Sequence, residues 1–195
     1  MTNCYVVSDG PEAVIIDPAF RSDKLCDYIA EEKLSVNMIL MTHGHFDHIM
    51  GAPFYAEKYD AKTAIGKGDA CMPPDASYNG AQRCGLLRYD PFEADLTLAQ
   101  GEEIAVGNIT LEVIETPGHS PGGISFYTPG HLFCGDTLFE GNVGRADLPG
   151  GNFDTLVASI RNKLYVLPDD TKVYCGHGNP TRIGYEKENN YYVRG

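Results

Sequence analysis

Basic residues are scarce in this 195-residue chain, with 15 Lys and Arg against 27 Asp and Glu and a formal net charge of −12. Nucleic-acid affinity rests on cations that neutralise phosphates, so the composition argues against a nucleic-acid partner. No stretch approaches about 18 consecutive apolar residues, so no membrane span and no membrane partner are expected. The chain opens without a charged region followed by an apolar one, and no signal peptide is expected. Its six cysteines, at positions 4, 26, 71, 84, 134 and 175, contain no Cys-x-x-Cys spacing. In a domain of this size that pattern reads as reduced thiols in a cytoplasmic protein rather than a disulfide framework. Cys134 and Cys175 read as small packing residues.

What the chain does contain is a concentration of metal-ligating side chains. Thr42-His43-Gly44-His45-Phe46-Asp47-His48 places four of them within six residues, directly after the apolar run Asn37 to Met41. With six His and 15 Asp scattered at random, His-x-His-x-Asp-His would arise roughly four times in ten thousand. The preceding run reads as a buried strand, and a strand end is a rigid place to hold imidazoles. Three further residues follow the same grammar, each just past a short strand-like run and beside a Gly. They are His119 in Thr116-Pro117-Gly118-His119-Ser120, Asp136 in Cys134-Gly135-Asp136-Thr137, and His177 in Cys175-Gly176-His177-Gly178. A Gly there lets the backbone turn sharply and approach an ion closely. Only His131 stands outside the pattern, as an ordinary surface or strand-start residue. Neutral imidazole and carboxylate together suit borderline divalent ions such as zinc, iron or manganese.

The length points to one domain over residues 1–195, and alternating strand and helix signals point to a mixed α/β class. Strands are predicted at 4–7, 13–16 and 37–41, with a Ser8-Asp9-Gly10-Pro11 turn between the first two. Helical spacing covers 21–32, then a stretch through about residue 58 that Pro53 interrupts near its start. A helix at 152–164 has Asn152 as its cap and carries Phe153, Leu156, Val157, Ile160 and Leu164 on one side. Residues 66–97 read as a loop insertion beside the site. In it, Tyr78, Leu86, Leu87, Tyr89 and Phe92 form either a pocket wall or the anchors of a long surface loop.

In these motifs, and in Thr2-Asn3-Cys4-Tyr5-Val6-Val7, Ile16-Asp17-Pro18 and Gly135-Asp136-Thr137-Leu138-Phe139, the chain resembles the metallo-β-lactamase superfamily of binuclear metallohydrolases. The match is closest to its glyoxalase II (hydroxyacylglutathione hydrolase) branch and covers nearly the whole chain. It implies an α/β, four-layer αβ/βα sandwich with metals at one edge between two sheets. Carried over residue by residue, it implies one metal on His43, His45 and His119 and a second on Asp47, His48 and His177, with Asp136 bridging both. The implied cofactors are two divalent ions, zinc first and iron or manganese as alternatives. Such a pair lowers the pKa of a shared water from near 16 towards 7 and so supplies metal-bound hydroxide. Two divalent ions, two carboxylates and one hydroxide sum to about +1, which favours an anionic transition state. Asp47 is implied as well as a proton acceptor at the nucleophile.

The implied activity is hydrolysis of a small-molecule thioester or ester in the cytoplasm, with a thioesterase as the leading reading. A bridging Asp136 resembles the thioesterase and lactonase branches, and His45 stands where flavodiiron proteins carry Glu. The alternatives are a lactonase or other ester hydrolase, or a mononuclear iron persulfide dioxygenase. Two departures from the branch stand out. Met1 directly precedes Thr2-Asn3-Cys4-Tyr5, which would expose an N-terminal strand able to support self-association. The sequence ends soon after Glu186, so a counterpart of the helical C-terminal domain of the larger glyoxalase II enzymes is not expected. Arg145, in Gly144-Arg145-Ala146-Asp147, stands where those enzymes place a basic substrate-binding residue. It is a candidate to grip a substrate carboxylate, or else pairs internally with Asp147.

Overall fold

The computed structural model describes residues 1–86 and 88–195, so Leu87 lies outside the described residues. The first sheet has the order β1 (Tyr5–Asp9), β2 (Glu12–Ile16), β3 (Ser35–Met41), β4 (Lys62–Gly66) and β5 (Leu96–Leu98). Only β1 runs antiparallel to its neighbour. The chain then builds β6 (Glu103–Val106), β7 (Ile109–Glu115), β8 (Ile124–Thr128) and β9 (His131–Gly135) of the second sheet. A small hairpin, β10 (Leu138–Phe139) and β11 (Asn142–Val143), comes before β12 (Lys172–Cys175) and β13 (Thr181–Arg182), which complete that sheet beside β9.

Strand side chains alternate between faces, and here both faces are apolar, as expected of buried strands. Val14, Ile16, Leu40 and Ala64 of the first sheet meet Leu111, Val113, Phe126 and Phe133 of the second in a central core. The intervening residues Ala13, Ile15, Ile39 and Met41 turn the other way, against α1 (Asp23–Glu31), α2 (Phe46–Ile49) and α3 (Ala52–Tyr59). On the far side, Leu132, Cys134, Val173 and Cys175 pack against α4 (Phe153–Ser159), the π-helical turn Ile160–Leu164 and α5 (Ile183–Asn189). Three cores separating helices, sheet, sheet and helices make the four-layer αβ/βα sandwich implied by the resemblance. Among the described residues, no helix is long and apolar enough to cross a membrane.

Several local expectations change. Ser22 caps α1, its hydroxyl accepting from the Leu25 N–H. Pro53 lies in the first turn of α3, where its missing N–H costs nothing, and the break before it falls at Met50 and Gly51. Phe153 is 46% exposed at the start of α4, so it does not share the core-facing stripe with Leu156 and Ile160. Within residues 66–97, Gly66 closes β4 and Leu96–Leu98 forms β5, while Asp69, Met72 and Asn79 between them are fully buried. Tyr89 and Phe92 pack onto the core beneath α1 and α3. β1 is an outer strand, and the residues before it cross to the second sheet, where the Asn3 N–H donates to the Gly176 carbonyl at 2.7 Å.

Candidate metal centre

The topology brings the carboxyl ends of six strands to one edge of the sandwich. β2, β3 and β4 are parallel, and so are β9 and β12; β7 points the same way as β9 because both are antiparallel to β8. The residues that follow these ends are Asp17, Thr42 to His48, Asp69, His119, Asp136 and His177. Sequence separation of up to 134 residues between His43 and His177 is thereby closed into one site.

Hydrogen bonds fix the proton on most of the imidazoles and so determine which nitrogen is free. His48 Nδ1–H donates to Asp17 Oδ2 at 2.9 Å, His119 Nδ1–H to the Arg145 carbonyl at 2.6 Å, and His177 Nδ1–H to the Met1 carbonyl at 3.1 Å. The Thr42 hydroxyl donates to Asp17 Oδ2 at 2.6 Å, so it accepts from His43 Nδ1–H at 3.2 Å. In its neutral form each of these four rings is left with Nε2 as its lone pair. His45 instead turns Nδ1 towards His119 Nε2, 2.9 Å away.

Two groups of three result, His43 with His45 and His119, and Asp47 with His48 and His177; within each group the ligand atoms lie within 4.8 Å of one another. Asp136 stands between them. Its Oδ1 is 3.3 Å from His48 Nε2, and its Oδ2 is 3.6 Å from His119 Nε2 and 3.4 Å from His177 Nε2. Asp17 also lies close to His43 and His48, but its oxygens already accept from the Thr42 N–H and hydroxyl and from His48. It supports ligands rather than serving as one. A resident cation fits the rest of the set on an independent observation: His43 Nε2, whose ring proton is held on Nδ1 by Thr42, is buried without any hydrogen-bond partner. Buried polar atoms are rarely left in that state unless an ion or another group satisfies them. Gly176 is required at this point, because a Cβ there would lie 2.1 Å from Asp136 Oδ1.

Electrostatics divide the two groups. Burial, with His48 and His119 nearby, holds His43 well below the ordinary imidazole range. Burial and His119 lower His45 to about 4. Both are neutral at pH 7, ready to donate lone pairs. For His48, burial works downwards, but Asp136 and Asp17 outweigh it and push the group up to about 10. Hydrogen bonds to Asp136 and Asp47 raise His177 to about 10. Burial alone would raise the carboxyl of Asp136, but His48 and His177 hold it well below the carboxylate range. Without a cation, then, the carboxylates hold protons on His48 and His177, and a divalent ion must displace them. Loading the metal-free protein at pH 7–8 is expected to release a proton from each of these two rings. A pH-stat titration that records no release on metal addition would contradict this charge assignment.

The site opens into a cavity of about 760 Å³ with His45, Asp47, His119, Asp136 and His177 among its lining residues. Phe46, Phe139 and Leu148 supply apolar wall, and Asn79, Gly80, Arg83 and Cys84 bring residues 66–97 to its rim. Tyr78, Leu86, Tyr89 and Phe92 do not line it. Arg145 lines it too, but its guanidinium is held in a two-pronged pair with Asp147 at 2.7 and 2.8 Å. That pairing draws the Asp147 carboxyl down to about 2. Arg83 lines the cavity with no carboxylate partner among the described residues. The sequence reading gave no role to Asp17, Asp69, Thr42 or Arg83. Asp17 and Asp69 carry the same signal as the ligands, an Asp just past an apolar strand, and Asp69 also adjoins Gly68.

Comparison with known proteins agrees with this geometry. A family model, the metallo-beta-lactamase superfamily, matches residues 1–177. Probable metallo-hydrolase YqgX of Bacillus subtilis is 36% identical over 195 residues, covering 99% of this chain and 92% of its own. Hydroxyacylglutathione hydrolase GloC of Haemophilus influenzae is 35% identical, covering 98% and 92%. The crystal structure of BLEG-1 B3 metallo-beta-lactamase superposes with a TM-score of 0.93 at 37% identity, over 100% of this chain and 95% of that one. TTHA1623 in a di-iron-bound form gives 0.88 at 34%, over 98% and 95%. ETHE1 from Myxococcus xanthus gives 0.82 at 30%, over 98% and 79%. The sandwich, the strand-end ligands and these matches together identify the chain as a member of the metallo-beta-lactamase superfamily, within which it is a metal-dependent hydrolase.

Proposed function

We propose that this protein hydrolyses a thioester with two divalent ions, one on His43, His45 and His119 and one on Asp47, His48 and His177. The observation that carries the reading is Asp136, a single carboxylate whose oxygens face imidazoles of both groups at 3.3–3.6 Å. Two bound divalent ions would lower the pKa of a shared water and polarise the substrate carbonyl. The chain's own residues do the remaining work. Asp47 accepts from the Thr2 hydroxyl at 3.2 Å and is held ionised, the pull of His177 and His48 exceeding the effect of burial. The Asp47 side chain, about one third exposed, is then a proton acceptor at the mouth of the cavity. Phe46, Phe139 and Leu148 exclude water from one side of the bound acyl group. The 35% identity to a hydroxyacylglutathione hydrolase supports a thioester substrate, and the di-iron form of TTHA1623 supports two ions and admits iron beside zinc.

The test combines elemental analysis with a panel of a glutathione thioester, an unrelated thioester, a lactone and a β-lactam. Two ions per chain with selective thioester turnover is the expected result; turnover of the lactone or the β-lactam alone would overturn it. A single-ion reading has one observation in its favour. His43, His45 and His119 are all buried, whereas the side chains of Asp47 and His177 are about one third exposed, so the first group would hold its ion more firmly. One tightly held iron with consumption of oxygen would establish that reading instead.

Substrate grip is assigned to Arg83 and Arg145 together, with Arg83 as the freer cation. Arg83→Ala is expected to raise KM about three- to tenfold for a thioester with a free carboxylate, and to leave kcat within about twofold. Arg145→Ala is expected to change KM less, since its guanidinium is held by Asp147. Steady-state kinetics on carboxylate and amide versions of one substrate would check this. An equal response of the two substrates would remove Arg83 from the binding site.

A further inference from the structure

We propose that Asp69 is a positioning residue for the first ion, clamping together the two loops that carry His43, His45 and His119; this rests on the reading that these three residues hold an ion. Asp69 ends the short 3-10 turn Lys67–Asp69 that follows β4, and it is completely buried. Its Oδ2 accepts from the Gly44 N–H at 2.9 Å and from the Ser120 hydroxyl at 2.6 Å, and its Oδ1 accepts from the Gly122 N–H at 2.6 Å. Gly44 lies between His43 and His45, and Ser120 follows His119. One carboxylate therefore grips both loops within a residue of each ligand. The loops belong to different sheets, one leaving β3 and the other joining β7 to β8.

The packing around this carboxylate is equally specific. Gly122 sits so close that a Cβ on it would lie 2.1 Å from the Asp69 backbone nitrogen. Met72 lies over Gly44, where a Cβ would meet the Met72 Cβ at 2.5 Å. Nothing in this arrangement can slide without breaking a hydrogen bond or creating an overlap. Buried carboxylates without a cation are rare, and no Lys or Arg pairs with Asp69 among the described residues. Burial raises its carboxyl, while the three donors and His119 work against the rise. A cation on His43, His45 and His119 would supply the charge this region otherwise lacks, and the carboxylate would favour that cation in return.

The second group is supported from elsewhere. Asp17 orients His48, the Met1 carbonyl orients His177, and the Thr2 hydroxyl holds Asp47. None of the hydrogen bonds of Asp69 reaches those three ligands. Loss of the clamp should thus act on one ion and spare the other, which general damage to the fold would not do.

The experiment loads wild type, Asp69→Asn and Asp69→Ala with Co(II) and withdraws it with a graded chelator, following the visible spectrum and the metal content. Asn keeps one acceptor oxygen but presents an NH2 to donors, so it should resemble Ala more than wild type. Both variants are expected to lose about 10–100-fold in affinity for the first ion, with the second within about threefold. Equal weakening of both ions, or of neither, in a folded variant would overturn the proposal. Should neither Asp69 variant fold, Ser120→Ala removes one of the three bonds and must weaken the first ion alone; unchanged affinity there would also overturn it. Wild type that binds no ion would instead defeat the reading of the site itself, and the affinity of a single ion on the first group would still report on Asp69.

Discussion

Replacing Asp136 with alanine is expected to leave at most one tightly held ion per chain and to cut hydrolysis by more than about a hundredfold, beyond the 10–100-fold usual for a supporting partner. Asp136 stands between the two groups, and His48, His119 and His177 all present Nε2 to it at 3.3–3.6 Å. Without it, two divalent ions would share no anion of the protein, and their mutual repulsion would be opposed only by Asp47 and water. The remaining ion is expected on His43, His45 and His119, because His43 and His45 are held neutral and need lose no proton to bind, whereas His48 and His177 must each give one up. Elemental analysis and the gain in Tm on adding metal would be read together, since a ligand that binds only the folded state raises Tm. A variant that keeps two ions and the full gain in Tm would show that Asp136 is not shared.

The candidate ligands were legible in the sequence because strand ends are local signals. An apolar run, a Gly and a His or Asp all fall within six or seven residues, and the fold needs only to bring such ends to one edge. The layered architecture was legible for a related reason. Runs such as Ala13 to Ile16 and Ile39 to Met41 are apolar at every position, and strands of that kind must be covered on both faces. What the sequence hid was partnership at long range. Asp69 meets Ser120 across 51 positions and Asp17 meets His48 across 31, and no local pattern marks either pair. The turn-rich composition of residues 66–97 suggested a loop insertion beside the site but gave no sign that Asp69, Met72 and Asn79 are fully buried there, with Asn79 donating to the Met72 carbonyl and accepting from the Ala81 N–H. At Arg145 the pair with Asp147 was one of the two readings, whereas nothing local marked the role of its main chain. Its side chain pairs with Asp147, while its backbone carbonyl is the group that orients His119.

Asp17→Ala is expected to damage both ion sites and the fold at once, a broader effect than the loss of any single ligand. Asp17 lies just beyond β2 with a left-handed φ of 51°, a conformation that Asp adopts more readily than most residues. Its buried carboxylate accepts from the Thr42 N–H, the Thr42 hydroxyl and His48 Nδ1–H at 2.6–2.9 Å. Truncation leaves three buried donors unsatisfied, at about 1–3 kcal/mol each before relaxation. A loss of about 3–5 kcal/mol is a large part of the margin of a domain this size and should lower Tm by several degrees. The second ion suffers because His48 loses the partner that fixes its proton on Nδ1. The first suffers through Thr42, whose hydroxyl passes the constraint on to His43. Thr42→Val separates the two routes: it removes the relay to His43 and leaves the Asp17–His48 bond in place, so it should weaken the first ion alone. Metal titrations of the two variants, beside their melting curves, would decide the matter. If Asp17→Ala released only the second ion and Thr42→Val neither, the relay from Asp17 through Thr42 to His43 would carry no force.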